Sequence, residues 1–207
     1  MRIITLAAQK GGSGKSILAR MLAVAAEQDG KRCALLDTDP QRTVYKWGER
    51  READTPVVDY CEPHQLDTVL KALPKQGFDL VIIDTPGAHN VAVAPALLAA
   101  DFVLVPVKPT LDDLDAILAT AQMLKDRKKR FAFVLSQCFG STGRLNDAAT
   151  SLLKYGEVAA GNIFQRADYP DAVTSALGVT EFNPTGKAAQ EIRLLWAWIS
   201  RAIGERS

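Results

Sequence analysis

The residues of this sequence that are best suited to chemistry lie in a glycine-rich segment near its start. Residues 9–16, QKGGSGKS, fit the pattern G-x-x-x-x-G-K-[ST] with one exception, since Gln9 stands in the place of the first glycine. The glycines allow successive backbone N–H groups to approach phosphate oxygens, and the positive end of a following helix strengthens that contact. Lys15 would neutralise the β- and γ-phosphates of a nucleotide, and the Ser16 hydroxyl would coordinate Mg²⁺. The segment therefore predicts a phosphate-binding loop.

Two segments that contain aspartates each follow a short apolar run. ALLDTDPQ contains Asp37 and Asp39, and FDLVIIDTPG contains Asp84. In an open α/β sheet, ligands bind at the carboxyl ends of the strands, so the three carboxylates are expected at one edge. Mg²⁺ prefers oxygen ligands, and Asp84 is expected to hold the ion directly or through water. Together with the glycine-rich segment, this order of motifs predicts a nucleotide site that contains magnesium.

The elements that must position these motifs alternate between strands and helices. Continuous apolar runs are typical of strands that are covered on both faces. The runs are RIITLAA, KRCALLDTD, FDLVIID, DFVLVPV and FAFVLSQ. The segments with helical periodicity are ILARMLAVAAEQDG, which Gly30 closes, HQLDTVLKAL, LDDLDAILATAQMLK and RLNDAATSLLKY. The alternation predicts a doubly wound α/β fold, with a mostly parallel sheet and helices on both faces.

The composition limits the classes of protein that fit this sequence. Its 207 residues can bury a core as one domain, and we find no internal repeat or linker, so 1–207 is predicted to be a single domain. Because the first strand-like run begins at Arg2, no helix-turn-helix or signal peptide is expected before it. Cys33, Cys61 and Cys138 are isolated, which favours reduced thiols in the cytoplasm over a disulfide framework or metal site. No run reaches the roughly 18 apolar residues of a membrane span, so no membrane partner is expected.

A second lysine, Lys10, precedes Lys15 in the glycine-rich segment. KGGSGKS resembles the deviant Walker A motif of the ParA/MinD family of P-loop ATPases. In that family the early lysine reaches across a nucleotide-sandwich dimer to the phosphates of the partner. The resemblance therefore implies that Lys10 is a catalytic residue acting in trans, that the ATP state is a homodimer, and that the cofactors are ATP or ADP and Mg²⁺. The alternative is a solvated loop lysine. The implied nucleotide-binding residues of the loop are Lys10, Gly11, Gly12, Ser13, Gly14, Lys15, Ser16 and Ile17.

The resemblance extends to the segments that contain the aspartates. DTDPQ is similar to a family element in which the second aspartate, here Asp39, orients the attacking water, while Asp37 supports the magnesium shell. It implies Asp39 as the second catalytic residue, and Ser16, Asp37 and Asp84 as the metal-binding residues. Hydrolysis of this kind depends on charge placement and water orientation more than on covalent chemistry.

A further block, DFVLVPVKPTLDDLDA, is similar to a family strand that ends in a proline-containing turn before a helix. Thr110 is expected to cap that helix, with Asp112 and Asp113 in its first turn, where the helix dipole favours carboxylates. That capping role alone is sufficient to explain these residues. The resemblance adds that the turn lies near the dimer interface, with Asp113 as a nucleotide-binding carboxylate.

The C-terminal third, from IFQRADYP to the last helix, resembles the closing block of short, ParF-like ParA proteins. The resemblance places Phe182, Asn183 and Pro184 against the adenine. In MinD-like relatives a terminal amphipathic helix binds membrane, but the last helix here lacks a lysine-rich polar face, so packing against the core is favoured. Its apolar residues at helical spacing are Ile192, Leu195, Trp196, Ile199 and Ile203.

The formal net charge of +1 means that DNA binding would need a local patch, or patches that dimerisation brings together. The resemblance implies DNA binding without sequence preference, and the candidate contacts are Arg166, Lys187 and Arg144. The function predicted in this way is that of a DNA-partition ATPase with slow basal turnover, located on the nucleoid in the cytoplasm. A ParB-like centromere-binding protein is the expected partner that stimulates hydrolysis and release.

Other functions stay open at this point. A VirC-type ATPase for conjugation or T-DNA processing would keep the same switch and change the cargo, and YKWGER occurs in similar form in both groups. A P-loop ligase or small-molecule kinase would need a substrate pocket motif, which we do not find, and Lys10 suits a homodimer sandwich better. A nitrogenase-reductase-like role would need paired cysteines at an interface, and the three cysteines have no such context.

Overall fold

The computed structural model of the chain describes residues 1–8, 10–87, 93–140 and 142–204, without the side chain of Asp115. Within these ranges a seven-stranded sheet forms with the order β3-β2-β4-β1-β5-β6-β7, and every neighbouring pair is parallel. The strands are β1 Arg2–Leu6, β2 Cys33–Asp37, β3 Val57–Tyr60, β4 Leu80–Asp84, β5 Phe102–Val107, β6 Phe131–Leu135 and β7 Glu157–Val158. The predicted α/β fold is confirmed, and this sheet is parallel throughout.

Burial on both faces distinguishes the central strands from the edge strands. Every residue of β2, β4 and β5 is buried, as in a parallel sheet that helices cover on two sides. The five apolar runs of the sequence contain β1, β2, β4, β5 and β6. The edge strands β3 and β7 were not predicted, because β3 alternates exposed and half-buried residues and β7 has only 2 residues.

Helices connect most of these strands. They are α1 Lys15–Gln28, α2 Thr43–Gly48, α3 Leu66–Ala72, α4 Ala94–Ala99, α5 Leu111–Asp126, α6 Thr142–Leu153, α7 Asp168–Thr174, α8 Val179–Phe182 and α9 Lys187–Gly204. A turn of 3₁₀-helix follows α3 at Leu73–Gln76. Gly30 ends the first helix as predicted: its φ is 81°, its N–H donates to Glu27 O, and the N–H of Lys31 donates to Ala26 O.

The helices lie on both faces of the sheet, and each face has its own apolar core. On one face, α1 and α9 pack over strand residues such as Ile4 and Leu35. On the opposite face, α3 to α6 pack over residues such as Leu36 and Val105. Leu35 and Leu36 are neighbours in β2 and point to opposite faces, which is the alternation expected within a strand.

The C-terminal helix α9 packs against α1, which confirms the prediction from its apolar stripe. Ile192, Leu195 and Ile199 are fully buried in that contact. Trp196 Nε1 donates a hydrogen bond of 3.0 Å to Asp29 at the end of α1. In the described ranges we find no helix that is both long and apolar enough to cross a bilayer.

A partly buried ion pair connects the segment after α2 to α8, which is distant in sequence. The Arg51 guanidinium, whose side chain is 2% exposed, donates to the two carboxylate oxygens of Glu181 at 2.9 and 3.0 Å. It also donates to Thr55 O and Ala176 O, and it lies over the ring of Trp47. The pair therefore stabilises the contact between the segment after α2 and α8. Neither of these parts lies at the edge of the sheet where the glycine-rich loop and the aspartates are.

Candidate nucleotide site

Three neighbouring strands bring the predicted motifs to one edge of the sheet. In the register of the sheet, Asp84 of β4 lies beside Asp37 of β2 on one side and beside Leu6 of β1 on the other. The glycine-rich loop follows β1, so it extends from the same edge as the two carboxylates. The parallel topology thus collects residues from three separate motifs, as open α/β sheets do at their ligand sites.

The glycine-rich loop turns through two residues in the left-handed region. Gly12 has a φ of 71° and Gly14 a φ of 96°, values that a residue with a Cβ rarely adopts. Gly14 is also the N-cap of α1, and its carbonyl accepts the hydrogen bond of Leu18 N–H at 2.9 Å. A Cβ on Gly11 would meet no atom of the described residues within 4 Å apart from its chain neighbours, so the described part of the loop is open there. Such a loop can direct its N–H groups and the positive end of α1 at a phosphate group.

Two polar residues that follow β6 brace the loop. Ser136 Oγ donates to Ser13 O at 2.8 Å, and Gln137 Nε2 donates to Gly12 O at 2.6 Å. Gln137 itself has a φ of 50°, which is uncommon for a residue with a side chain. Neither residue was predicted from the sequence. The available signal was their position directly after an apolar run, where a parallel sheet places its ligand-binding edge.

Lys15 is enclosed at the start of α1, where it is 8% exposed. Burial lowers the pKa of its ammonium group, and the carboxylates of Asp84 and Asp39 raise it again. Water screens a buried charge poorly, so this cation acts strongly on any further anion that enters the loop.

Asp84 is a buried carboxylate without a normal partner. It is fully buried, and within the described ranges neither of its oxygens has a hydrogen bond of standard geometry. Burial is the main reason that the pKa of Asp84 is raised to about 7, while the Ser16 hydroxyl and Lys15 lower it. An unsatisfied buried carboxylate near a hydroxyl and a lysine fits a divalent cation that is shared with a phosphate group. Ser16 and Asp84 therefore have the chemistry of a Mg²⁺ site.

Asp37 has a different environment, although it lies beside Asp84. Its Oδ1 accepts the Asp39 N–H at 2.9 Å, and its Oδ2 accepts the N–H groups of Val44 and Tyr45 at 2.8 and 3.0 Å. Burial raises the pKa of Asp37, and these backbone hydrogen bonds lower it. The Asp37 carboxylate thus accepts hydrogen bonds from backbone N–H groups in the first turn of α2. The N-cap residue of that helix, Arg42, makes no side-chain capping hydrogen bond itself. Its part in the magnesium shell stays a prediction, because both oxygens already have partners.

Asp39 lies shortly after the end of β2 and is half-buried. Its Oδ1 accepts the Gln41 N–H at 2.9 Å, and its carbonyl accepts the Arg42 N–H at 2.8 Å. Its charge acts on Lys15 and raises the pKa of that ammonium group, so the carboxylate lies close to the loop. The role of Asp39 in orienting water stays a prediction.

A buried arginine that was not predicted, Arg20 of α1, adds positive charge to the site. It is 6% exposed, and its Nη2 donates to Thr43 O at 2.6 Å. Burial lowers the pKa of its guanidinium, and Asp84 and then Asp37 raise it. The sequence contained one signal for this residue, a charged position within the apolar periodicity of the first helix. Charged residues are seldom buried without a partner, so such a position indicates a nearby anionic or polar group.

Lys10 lies at the start of the loop and contacts Asp113. Its Nζ is 3.5 Å from Asp113 Oδ2, and the two side chains are 49% and 10% exposed. The Thr110 hydroxyl donates to Asp113 Oδ2, and Thr110 Oγ1 accepts the Asp113 N–H at 3.3 Å, which confirms Thr110 as the N-cap of α5. The structure thus pairs the early lysine with the carboxylate that the resemblance assigned to the nucleotide.

A cavity of about 420 Å³ adjoins the loop at the start of α1. Gly14, Ile17 and Leu18 form one wall, and the polar residues that brace the loop contribute to another. The remaining wall comes from the segment 163–170. The volume falls within the usual range of ligand-binding cavities, and the lining combines apolar surface with a few polar groups.

The residues predicted to contact adenine are not among those that line this cavity. Phe182 is 39% exposed, Asn183 Nδ2 donates to Asp168, and the carbonyl of Pro184 accepts a hydrogen bond from Arg193. Their contact with adenine stays a prediction. The segment 163–170 provides another candidate wall for the base, and it was not selected from the sequence.

The CobQ/CobB/MinD/ParA nucleotide binding domain matches residues 4–179, a range that includes the loop, the three aspartates and the walls of the cavity. The chain belongs to this family. The resemblance to ParA/MinD ATPases, which rested on the glycine-rich segment and the aspartates, is confirmed.

Relatives of this ParA/MinD-family chain have different named roles. Maintenance of carboxysome distribution protein A from Halothiobacillus neapolitanus is 27% identical over 197 residues, which cover 91% of this chain and 91% of that protein. Protein virC1 from Rhizobium rhizogenes is 29% identical over 126 residues, 58% of this chain and 54% of virC1, so the match spans about half of that relative. Chromosome-partitioning ATPase Soj from Thermus thermophilus is 33% identical over 157 residues, 60% of this chain and 63% of Soj.

A solved structure of MinD from Pyrococcus horikoshii OT3, in complex with Mg-ADP, has a similar fold. It has a TM-score of 0.79 to this chain at 18% identity, and the match covers 98% of this chain and 97% of MinD. At this identity the comparison establishes the P-loop ATPase fold of the ParA/MinD family.

Glu191 of α9 holds the wall at 163–170 of this ParA/MinD-family domain. Its Oε2 accepts the Phe164 N–H and the Tyr169 hydroxyl, each at 3.1 Å, and its Oε1 accepts Arg166 Nε at 2.7 Å. Burial and the nearby Glu191 carboxylate raise the pKa of Tyr169. The last helix is therefore connected, through one carboxylate, to the cavity beside the phosphate loop.

The three DNA-contact candidates of this ParA/MinD-family chain have different environments. Arg166 is engaged within the protein, since it pairs with Glu191 and its guanidinium lies 5.3 Å from the ring centroid of Phe164. Lys187, at the start of α9, and Arg144, in α6, are exposed. DNA contact stays a prediction for all three, and exposure favours Lys187 and Arg144.

Proposed function

We propose that this chain is a DNA-partition ATPase that acts as a molecular switch. ATP binding with Mg²⁺ closes a homodimer, the dimer binds DNA without sequence preference, and a ParB-like centromere-binding partner stimulates hydrolysis and release. The switch operates on the nucleoid, in the cytoplasm. The observation that supports it most is the position of two lysines, because Lys15 is 8% exposed within the loop whereas the Lys10 side chain is 49% exposed at its start.

The two lysines serve two different nucleotides in this proposal. Lys15 neutralises the phosphates that are bound by its own chain. Lys10 is accessible, so it can reach phosphates that are bound by a second copy of the chain, and ATP then becomes part of the dimer interface. Until that copy arrives, Asp113 balances the charge of Lys10 at 3.5 Å. A partly exposed ion pair of this kind contributes little free energy and is readily exchanged for a phosphate contact.

The residues of the site divide the work of hydrolysis. Ser16 and Asp84 would hold Mg²⁺, which would supply neutralisation of phosphate charge. Lys15 and the N–H groups of the loop orient the phosphates. Asp39 orients a water molecule for attack on the γ-phosphate. Basal turnover is slow in this scheme until a partner protein supplies further stabilisation of the transition state.

The cavity beside Gly14 receives the base and ribose in this proposal. The loop and the cavity share Gly14, so phosphates in the loop would be continuous with a base against Ile17 and the segment 163–170. A mainly apolar lining with a few polar groups suits a planar heterocycle.

DNA binding would arise from dimerisation rather than from the single chain. The formal net charge is +1, which produces no strong field around one copy. Lys187 and Arg144 are exposed, and closing a dimer brings two copies of each into one surface. Contacts between lysine or arginine side chains and DNA phosphates carry no sequence information. They therefore suit a protein that binds DNA without sequence preference.

A second candidate function keeps the switch and changes the cargo. It is favoured by the relative named for carboxysome distribution, which aligns over 91% of this chain and 91% of its own length. The similarity to virC1 keeps a VirC-type role in DNA transfer within the same class. All of these candidate functions would use nucleotide-dependent dimerisation, and they would differ in the partner protein.

The experiment that tests the proposal measures DNA binding by an Asp39→Ala variant, which should retain ATP because it cannot hydrolyse it. Binding to an arbitrary duplex is recorded with ATP, with ADP and without nucleotide, between about 50 and 200 mM salt. Lys15→Ala is the matched control, since it should lose nucleotide and therefore DNA. We expect binding only with ATP, and a steep loss as salt increases, because counterions are released from the DNA backbone.

Dimer formation is measured in the same samples by light scattering. An ATP-dependent dimer that binds no DNA at any salt concentration would contradict the DNA-partition function and leave only the nucleotide-dependent dimerisation of the proposal. DNA binding that is equal with ATP, with ADP and without nucleotide would contradict the switch itself.

A further inference from the structure

A third lysine, Lys108, lies beside the phosphate loop. It follows β5, in the turn that leads to α5, and the Thr110 N–H donates to its carbonyl at 2.8 Å. Pro109, which comes next, is buried. β5 pairs with β1, the strand that the loop follows, so this turn and the loop extend from neighbouring strands. The backbone at Lys108 is therefore fixed next to the loop.

The ammonium group of Lys108 points to the middle of the loop. A Cβ placed on Gly12 would lie 3.8 Å from Lys108 Nζ, and among the described residues other than the chain neighbours of Gly12 no further heavy atom lies within 4 Å of that position. Gly12 adopts a φ of 71°, a left-handed backbone conformation that glycine adopts without strain and other residues rarely adopt. Lys108 thus supplies a positive charge to the segment whose N–H groups are directed at phosphate.

The three lysines at the loop differ in what balances their charge. Lys15 is near Asp84 and Asp39, and Lys10 is paired with Asp113. Lys108 is half-buried, and across the described ranges it has neither a hydrogen bond nor an ion pair from its side chain. A partly buried ammonium group without an acceptor gains more from a bound anion than a solvated or paired one does.

The order of residues along the loop indicates which phosphate Lys108 would meet. Gly14 lines the cavity that suits the base, whereas Gly12 does not line it. The Gly12 end of the loop is therefore the end more distant from the base, where the last phosphate of a triphosphate lies. We propose that Lys108 is a phosphate-binding cation that acts in cis on the terminal phosphate of a nucleoside triphosphate, in addition to Lys15. This inference rests on the proposed nucleotide function of the loop.

The test compares Lys108→Met with Lys108→Arg, which keeps the charge, and with Lys71→Met, which removes an exposed lysine of α3 that is paired with Asp67. Affinities for ADP and for the non-hydrolysable β,γ-imido analogue of ATP are measured by calorimetry with Mg²⁺ present. We expect Lys108→Met to weaken binding of the triphosphate analogue about tenfold more than binding of ADP, because one charged contact is lost. Lys108→Arg should recover most of the loss, and Lys71→Met should match the wild type.

Lys10→Met separates action in cis from action in trans. If Lys108 acts on the nucleotide of its own chain, its effect persists at protein concentrations where light scattering detects only monomer, whereas an effect of Lys10 needs the dimer. Equal losses for ADP and the triphosphate analogue, no loss with either, or a Lys108 effect confined to the dimer would overturn the inference. If the wild type bound neither nucleotide, the proposed function would fail as well, so the two failures are distinguishable.

Discussion

The two ends of the candidate nucleotide site are built in different ways. The phosphate end is centred on a continuous segment, from Lys10 to Ile17, which joins β1 to α1, and Asp37 and Asp84 lie beside it at the ends of β2 and β4. The base end is a cavity whose walls come from α1, from the residues after β6 and from the segment 163–170. Charged groups dominate the phosphate end, where Lys15 lies near Asp84, whereas the cavity at the base end has a mainly apolar lining. One end is local in sequence and electrostatic, and the other is assembled by tertiary contacts.

This difference determines what each end can contribute to binding. Charges in a poorly solvated loop act strongly on phosphates, and they discriminate between nucleotides by the number of phosphate groups. A cavity for the base acts equally on ATP and ADP, because both carry the same base and ribose. Substitutions at the phosphate end should therefore have large effects that depend on the nucleotide, and substitutions at the base end should have small effects that do not.

The largest effect is expected from Lys15→Ala. In the proposed function, removing the enclosed cation would eliminate at least two charged hydrogen bonds to the β- and γ-phosphates, which amounts to about 4 kcal/mol, or about a thousandfold in affinity. Calorimetry with ADP and with the triphosphate analogue measures this loss, and Lys71→Ala serves as a control with the same change of charge on exposed α3. If the affinity for both nucleotides is unchanged, the phosphate end does not bind phosphate.

Asp39→Ala is expected to reduce the rate of hydrolysis about a hundredfold and to leave the affinity for ATP unchanged, because the role proposed for Asp39 is to orient water rather than phosphate. Single-turnover hydrolysis measures the chemical step, and calorimetry measures binding. Asp147→Ala, which removes an exposed aspartate of α6, is the control. Wild-type turnover by Asp39→Ala would mean that another group orients the water.

The sequence was sufficient to predict the strand, loop and helix that contain the glycine-rich segment, because these residues are consecutive and their fold is local, whereas Arg20, Ser136 and Gln137 beside the loop were not predicted. The loop, the aspartates and the five apolar strands all have patterns that short-range physical rules explain. The edge strands escaped prediction because few of their residues face the core. The helix-capping bonds of Asp37 also escaped prediction, since an aspartate at a strand end has the same sequence context whether it binds metal or backbone.

The base end could not be predicted in the same way, because its walls meet only in the folded chain. Cys138, after β6, pairs with Phe164 through an isolated parallel bridge, and Cys138 N–H donates to Ile163 O. Glu191 then attaches that segment to α9. No spacing between these residues indicates such contacts. The family resemblance implies Phe182 and its neighbours as the adenine contacts; these residues do not line the cavity, and their contact with adenine stays a prediction.

The neighbouring carboxylates Asp37 and Asp84 provide a test within the phosphate end. Asp37→Ala should lower the free energy of unfolding by about 2 kcal/mol, because three backbone N–H groups lose their acceptor. Asp84→Asn should raise it by about 1 kcal/mol, because a buried carboxylate, whose oxygens have no standard hydrogen bond among the described residues, is replaced by a neutral amide. Urea denaturation in the presence of a chelator and without nucleotide measures both values.

For nucleotide binding the two variants should rank in the opposite order: Asp84→Asn, which is expected to stabilise the fold, should have the larger loss of magnesium-dependent affinity. Asp84→Asn should lose the increase in nucleotide affinity that Mg²⁺ provides, whereas Asp37→Ala should retain part of it. A stability loss for Asp84→Asn as large as that for Asp37→Ala would show that Asp84 has a structural role instead.

The smallest effect is expected at the base end, and it distinguishes the two candidate walls. Glu191→Ala should weaken ATP and ADP equally, about fivefold, and leave the rate of the chemical step unchanged, because only the position of the segment 163–170 is affected. Glu181→Ala is a matched variant, since it also removes the carboxylate of a partly buried ion pair, with Arg51, and lies next to Phe182. Both variants should lose stability, so thermal unfolding alone cannot separate them. If Glu181→Ala weakened both nucleotides and Glu191→Ala did not, the base would lie at Phe182 to Pro184, and the comparison between a local and an assembled end would no longer hold.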